Sequence, residues 1–177
     1  MEITKMRKIL LIIVSVLMSI VIISMVYNGI NSKIEEDKIQ LNEEKIQEII
    51  ENGSAVKDYP TFYNLKSACG NYLSALLSDN HSKTYKVLSP KLKKKMSLIS
   101  YVSKVDKYKS NHFSAVSYNY NIADCLYKAY FYKENGNYVR NVYICQLKTG
   151  VPDEYLNIVI RLETSGKLTY KIWYVGV

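Results

Sequence analysis

The chain has 177 residues, which leaves room for one domain of ordinary size beside whatever its N-terminal segment forms. Its hydrophobic content of 48% suits a globular protein, but residues 1–30 hold far more than their share of the apolar side chains. The three cysteines are an odd number and no two have metal-ligand spacing, which excludes a disulfide-dense scaffold and a zinc knuckle.

The net charge of +8 is divided unevenly along the chain. Residues 1–8 carry a net charge of +2 and residues 33–51 carry −4, which leaves +10 for the rest. A domain this basic attracts anionic partners, although a lysine-rich surface also serves solubility alone. We take anionic lipid and cell-wall polymer as candidate partners and expect no nucleic acid.

Residues 9–27 form an uninterrupted apolar segment, ILLIIVSVLMSIVIISMVY, without charge or proline. In a helix, these nineteen residues span about 28 Å, which matches the hydrocarbon core of a bilayer. A buried core helix would carry a polar stripe, and a cleaved signal peptide would have a shorter apolar run and a small-x-small cleavage site. We therefore predict a retained transmembrane helix over 9–27, preceded by a cytoplasmic tail over 1–8.

The charged flanks of this helix set its predicted orientation. Lys5, Arg7 and Lys8 precede it, whereas the residues that follow it are acidic overall. Because positive charge stays on the cytoplasmic side, the N-terminus is expected in the cytoplasm. The prediction is a single-pass protein of the cell membrane whose C-terminal domain is extracytoplasmic.

Residues 28–59 are predicted to form a helical stalk and a linker. The stretch 33–52 is rich in Glu, Lys, Gln and Ile, and a glycine follows it to end the helix. Ile39, Ile46 and Ile49 fall at coiled-coil spacing, but two heptads are too few for a stable coil alone. Two interpretations stay open: the stalk self-associates through these isoleucines, or it is only a spacer.

Residues 60–177 are predicted to form the exported α+β domain. Apolar spacing and capping residues predict helices over 62–77, from about 79 to 88, and over 91–108. The third helix is expected to bury four apolar side chains, Leu92, Met96, Ile99 and Val102. Its lysines Lys91, Lys94 and Lys95 would share a face that contacts anionic lipid or wall polymer, or that is simply solvated.

Beyond residue 111, alternating tyrosines and β-branched residues with recurrent turns predict an antiparallel sheet of four to five strands. We place the strands at 113–122, 124–133, 138–148, 155–164 and 168–176. Two turns that contain glycine, at 133–137 and 164–167, are predicted to close hairpins. In the fourth strand, the core face is expected to carry Leu156, Ile158, Ile160 and Leu162.

Cys125 and Cys145 lie in neighbouring predicted strands, and the loop between the strands decides whether they meet. A three-residue loop places both on the core face opposite each other, where a strained cross-strand disulfide can form. A two-residue loop places them on opposite faces, which forbids the bond. Two small buried thiols are the alternative that we favour.

The predicted chain order is helices first and then a meander of four or five long strands. This order resembles that of the cystatin-like α+β cone, the fold of the nuclear transport factor 2 superfamily. The segment YNLKSACGNYLSALLSDNHSKTYKVLSPKLKKKM looks like its opening helices, and TSGKLTYKIWYVGV resembles its closing strand. The resemblance covers residues 60–177 and implies about three helices packed on a curved antiparallel sheet. With the basic tail and membrane helix, the architecture resembles the bitopic assembly proteins of type IV secretion and conjugation systems.

No catalytic, cofactor or metal motif stands out. Glycine-rich phosphate loops, HExxH and GxSxG are absent from the sequence. The residues that acid–base chemistry would use form no recognisable dyad: His81, Asp106, His112 and Asp124. Cys69 or Cys125 with His112 as a base is the one nucleophilic arrangement that can be imagined.

These observations favour a non-enzymatic scaffold of the bacterial cell envelope, without a cofactor. Its exported domain would self-associate or contact other envelope proteins, most plausibly in a conjugation or secretion machine. The alternative is an extracytoplasmic ligand-binding module that uses the pocket of the cone domain for a small apolar or anionic molecule. An open pocket favours the second hypothesis, and a filled pocket with an outer apolar patch favours the first.

Overall fold

A computed structural model describes residues 10–27, 39, 41–113, 122–163 and 169–176. The chain divides into two compact units, Met1–Gln40 and Leu41–Val177. In the first unit, helix α1 spans Leu10–Tyr27 and is long and apolar enough to cross a membrane, as the sequence predicts. A membrane anchor and a signal sequence both fit this helix.

The second unit has an α+β fold, which confirms the predicted fold class at this level. Its helices are α2 (Glu43–Asn52), α3 (Tyr59–Leu77), α4 (His81–Lys86), α5 (Pro90–Lys95) and α6 (Leu98–His112). A short 3₁₀ turn, Ile122–Asp124, leads into strands β1 (Leu126–Glu134), β2 (Asn137–Lys148), β3 (Tyr155–Glu163) and β4 (Thr169–Gly176). The strands form one antiparallel meander in the order β1-β2-β3-β4.

The helices of this unit begin at side-chain caps. Asp58 accepts a hydrogen bond from the amide of Thr61 at 3.1 Å, so α3 starts three residues earlier than the predicted helix over 62–77. Asn42 accepts a hydrogen bond from the amide of Lys45 at 2.9 Å and begins α2. The predicted helix over 33–52 does not continue through Asn42. The side chain of Asn42 bonds to the backbone in place of a preceding helical turn, so α2 begins at Glu43. Residues 28–38 and 40 lie outside the described part of the chain.

The predicted helix over 91–108 is in fact two helices. Met96 has an extended backbone, with φ −148° and ψ 136°, and the hydroxyl of Ser97 caps α6. The break rotates α6 so that Tyr101 and Val105 are buried, while Ile99 is 84% exposed. The prediction that Ile99 is buried is therefore wrong, because one helical period does not continue through Met96.

Four of the predicted strands agree with β1 to β4 within about two residues. The first predicted strand, 113–122, is not described over 114–121, and its two ends belong to α6 and to the 3₁₀ turn. The β1–β2 turn is confirmed, with positive φ at Asn135 (50°) and Gly136 (80°) as a two-residue hairpin requires. Residues 164–168, which hold the other predicted turn, lie outside the description.

The sheet buries both of its faces. The first face packs on α3 and α6, and the predicted core face of β3 is confirmed, since Leu156, Ile158, Ile160 and Leu162 are all buried there. On the opposite face, Ile144 pairs with both Tyr130 and Val159, and all three are also buried. This second buried face makes the unit three layers deep.

Helix α2 packs on that opposite face. It contacts β1, and Ile46 lies in a groove with Asn157 of β3 and Tyr174 of β4. Ile46 and Ile49, one helical turn apart, are buried. Self-association through Ile46 and Ile49 would therefore require α2 to leave the sheet. Ile39 belongs to the other unit, and self-association by the three isoleucines stays a prediction.

Short segments cover both sheet edges. The amide of Val56 donates to the carbonyl of Ala129 in β1 at 2.8 Å. At the other edge, Leu88 forms a parallel bridge with Ile172 of β4. Pairing of this kind protects a sheet from edge-to-edge association.

Candidate functional site

A cavity of about 290 Å³ lies between the helices and the β4 edge of the sheet. Its walls come from α3, from the segment 88–96, from α6 and from the end of β4. The lining is mainly apolar: Leu76, Leu88, Leu92, Met96, Val105 and Val175. Pockets of this size that are mostly apolar and carry a few polar groups are typical sites for small ligands.

Helical spacing brings the lining side chains together. Tyr72 and Leu76 of α3 are four residues apart and therefore share a face. On α6, Tyr101, Val105 and Tyr108 recur at the three-to-four residue spacing of one helix face. Both faces point at the same space, which the side chains leave unfilled.

The wall formed by α5 is fixed to the sheet and to its neighbours. The amide of Ser89 donates to the carbonyl of Ile172 at 2.8 Å, and the hydroxyl of Ser89 caps α5 at Leu92. The hydroxyl of Tyr85 donates to the carbonyl of Met96 at 3.2 Å. These bonds hold Leu92 and Met96 against the cavity, so the pocket exists before any ligand binds.

Four tyrosines line the cavity: Tyr72, Tyr101 and Tyr108 on the helices and Tyr174 on β4. The hydroxyls of Tyr72 and Tyr101 lie 3.5 Å apart. Burial raises the pKa of Tyr72 well above its usual value, with a further contribution from Tyr101, and burial also raises the pKa of Tyr101. Burial, followed by the nearby Glu154 carboxylate, raises the pKa of Tyr108 strongly.

These hydroxyls are suited to bind rather than to exchange protons. A raised tyrosine pKa keeps each phenol protonated at neutral pH, so each can donate a hydrogen bond. The hydroxyl oxygen of Tyr108 is buried and has no hydrogen-bond partner among the described residues. Lys104 adds a cationic side chain to the wall. The cavity therefore offers apolar contact together with donors for one acceptor or anionic group.

The lysines singled out in the sequence lie on α5, beside this cavity. Lys94 and Lys95 are exposed, whereas Lys91 is half-buried. Lys93, between them, donates to the carbonyl of Lys86 at 2.9 Å and lies over the ring of Tyr85. The predicted shared face of Lys91, Lys94 and Lys95 thus has two fully exposed members, and contact with an anionic surface stays a prediction.

The histidines pair with acidic side chains at separate places. His112 Nδ1 lies 3.0 Å from Glu154 Oε1, and His81 Nε2 lies 3.5 Å from Asp106 Oδ1. Asp124, singled out in the sequence, instead pairs with Lys66 at 2.8 Å. Neither histidine lines the cavity.

One group of these side chains could hold a divalent cation. Asp79, His81 and Asp106 have ligand atoms within 4.8 Å of one another. Lys109 already forms an ion pair with Asp79, so a cation would have to compete with this ammonium group. Both aspartates are exposed, which is common without any metal.

The cysteines lie in the apolar core and not in the cavity. Cys69, Cys125 and Cys145 are buried and free, with Cys145 opposite Ala129. The turn has two residues, and bulges in β1 shift the simple alternation on which the disulfide prediction depends. Burial raises the pKa of Cys125 to about 11 and raises that of Cys69 further above its usual range. A raised pKa disfavours the thiolate, which opposes a nucleophilic role.

The cavity residues were not singled out in the sequence, although one signal was available. Tyr72, Tyr101 and Tyr108 are aromatic residues with a polar end on apolar helix faces, and such residues need a partner when buried. The break at Met96 decides which helix faces meet at the cavity.

The chain matches no protein family model, no curated protein and no solved structure.

Proposed function

We propose that this protein is a non-enzymatic, membrane-anchored binding module whose C-terminal unit captures a small amphiphilic molecule in the cavity between α3, α5, α6 and β4. The observation that carries the proposal is the open, mainly apolar cavity of about 290 Å³. A cavity of this size has room for a small molecule, and its apolar walls gain stability when a ligand buries apolar surface against them.

The chemistry of the wall suggests the class of ligand. Apolar side chains would contact a hydrocarbon or aromatic body. The ammonium of Lys104 would bind a carboxylate, sulfonate or other acceptor at one end.

Retention of α1 in the membrane is part of the proposal. The basic residues before α1 and the acidic residues after it favour an extracytoplasmic binding unit. We also propose that this unit is related to the cystatin-like cone. Support comes from helices that precede an antiparallel meander and from a cavity between those helices and the sheet. The likeness is one of element order, and it carries no residue role.

The test fills the cavity and measures the binding of an aromatic anion. Residues 41–177, checked as folded by circular dichroism, are titrated with 1-anilinonaphthalene-8-sulfonate. In Val105→Phe the larger ring occupies the cavity, and we expect the affinity to fall at least about tenfold, or ~1.4 kcal/mol. Because the cavity of about 290 Å³ has room for the ring, this substitution should leave the fold intact.

Val151→Phe is the matched control, since it makes the same change at an exposed loop valine outside the cavity. It should bind the anion as the unaltered fragment does. Equal affinity in the folded Val105→Phe variant would show that the probe binds elsewhere, and the proposed function would then be wrong.

A scaffold function is the second candidate, and one surface favours it. Tyr59 and Tyr63 stack on α3 with ring centroids 5.9 Å apart, and both are exposed, Tyr59 to 75%. Exposed tyrosines of this kind are enriched at protein interfaces. The proposed partners are other envelope proteins, as in a conjugation or secretion machine, or a second copy of the chain.

A photo-reactive benzoylphenylalanine at position 63 tests the scaffold function in native membranes. A discrete cross-linked product identified by mass spectrometry is expected, and the same label at exposed Thr169 should give none. If the label at position 63 yields no cross-linked product while the protein is present in the membrane, this surface has no stable partner.

A further inference from the structure

Three apolar side chains at the start of α6 are exposed or half-buried at the surface. Leu98 and Ile99 are exposed, Ile99 to 84%, and they line one shallow depression with Val102. Positions 98, 99 and 102 lie within about 100° around the helix, beside the buried face of Tyr101 and Val105, and Ile99 is the farthest of the three from that face. We call Leu98, Ile99 and Val102 the apolar tip.

The chain segment that carries the apolar tip is strongly basic. Residues 91–107 contain six lysines and one aspartate, a net charge of +5, against +8 for the whole chain. Lys94, Lys95, Lys104 and Lys107 are exposed. Asp106, the one acidic residue of this segment, borders the depression 3.5 Å from His81, and Asp79 lies close to both. Lys104 and Lys107 lie on the other side of α6, so the exposed lysines nearest the apolar tip in the chain are Lys94 and Lys95.

Exposed apolar side chains next to exposed lysines, here Lys94 and Lys95 of α5, have the composition of a surface that lies at a membrane interface. Lysines attract anionic head groups, and the apolar residues between them enter the boundary with the acyl chains. A protein partner would need a concentrated acidic patch around an apolar socket. A wall polymer would use the lysines but leave Ile99 in water. The combination of charge and apolar side chains therefore favours a lipid surface.

We infer that the α5–α6 corner docks on an anionic bilayer, with Ile99 and Leu98 at the acyl boundary and Lys94 and Lys95 on the head groups. The inference uses the membrane anchoring of the proposed function, because α1 keeps the unit near a bilayer. Leu92 and Met96 of the same corner form part of the cavity wall. Docking would thus bring the cavity beside the lipid phase, where amphiphilic ligands are concentrated.

The test measures the depth of a probe at position 99 in the full-length protein. Ile99→Cys is labelled with a nitroxide, and the protein is reconstituted into phosphatidylcholine vesicles with or without phosphatidylglycerol. The native cysteines are buried, so the label goes to position 99. Collision with oxygen, which prefers lipid, is compared with collision with a water-soluble nickel complex.

In anionic vesicles we expect the probe at 99 to favour oxygen severalfold, and in phosphatidylcholine alone to favour the nickel complex. Lys94→Gln with Lys95→Gln should lower the ratio of docked to undocked protein in anionic vesicles roughly 30-fold at low salt. Tyr138→Cys, exposed in the β1–β2 hairpin at the far edge of the sheet, is the matched label and should stay in water in every vesicle.

Flotation of the protein with both kinds of vesicle separates the anchor from the docking surface. If the protein floats but the probe at 99 stays in water in anionic vesicles, docking is wrong and the anchor stands. If the probe is shielded only in native membranes, a protein covers the apolar tip and docking on lipid is likewise wrong. If the protein does not float, both the anchor and the docking inference fail.

Discussion

Two isoleucines of this protein occupy opposite environments. Ile158 is 0% exposed in the centre of the sheet, whereas Ile99 is 84% exposed on α6. The side chains are identical, so a difference between their substitutions reports burial alone.

We expect Ile158→Ala to lower the free energy of unfolding by about 2 to 5 kcal/mol, because it removes buried methyl groups and leaves a cavity. Ile99→Ala should change it by no more than about 0.5 kcal/mol. Thermal unfolding of the detergent-solubilised protein, followed by the fluorescence of Trp173, measures both. A large loss for Ile99→Ala would place Ile99 in the core and contradict the break at Met96.

The three cysteines give a second prediction for single residues. Burial protects all three, and a raised pKa also protects Cys69 and Cys125. For Cys125 the shift from 9.0 to about 11 lowers the thiolate fraction at pH 8 roughly 100-fold. We expect the folded protein to react with Ellman's reagent slowly, and the denatured protein to release three equivalents at once. Rapid reaction of a folded thiol would show that the core around Cys69, Cys125 and Cys145 opens.

Helix α2 shows how an element changes meaning once it is packed. Its sequence is typical of an independent stalk, with acidic residues in the first turn and isoleucines at regular spacing. In the fold, Ile46 and Ile49 face the second side of the sheet, where Tyr130, Ile144 and Val159 are buried. The helix is a third layer, and the sheet depends on it to keep these side chains from water.

Ile46→Asp tests this role of α2. A carboxylate at a position 2% exposed has no partner, so we expect a loss of about 3 kcal/mol or more in the free energy of unfolding. Gln47→Asp, the exposed neighbour in the same helix, should cost well under 1 kcal/mol. Equal melting temperatures for the two variants would mean that α2 is a spacer after all.

For the molecule as a whole, buried phenols and thiols set the response to alkaline pH. Burial raises the pKa of Cys125 to about 11 and those of Tyr170 and Tyr174 to about 12, from ordinary values of 9.0 and 10.0. Above pH 9 the folded chain therefore binds more protons than the unfolded chain, and the stability falls as pH rises.

We expect the melting temperature to decline progressively from about pH 9 to pH 12. Cys125→Ala should remove part of the decline that begins near pH 9, where the buried thiols Cys125 and Cys69 contribute before the tyrosines do. Melting curves of the full-length protein at constant ionic strength provide the measurement. A melting temperature that does not change up to pH 12 would show that these groups are accessible to water in the folded state.

Local patterns made much of the fold predictable. The apolar run ending at Tyr27 predicts a helix long enough to span a membrane, because length and composition alone decide this property. The faces of β3 and the Asn135-Gly136 turn follow from side-chain alternation and from the positive φ that such a turn requires. The sequence by itself therefore determined the apolar helix, the α+β class and most strand positions.

Only the tertiary structure decided what these elements do together. The break at Met96 depends on the packing of α5 on β4, and it decides that Val105 faces the cavity while Ile99 faces outward. The place of α2 depends on a second apolar sheet face that no single strand reveals. Both outcomes rest on contacts between residues far apart in the chain, and hydrophobic periodicity reports which face of an element is apolar but not what covers it.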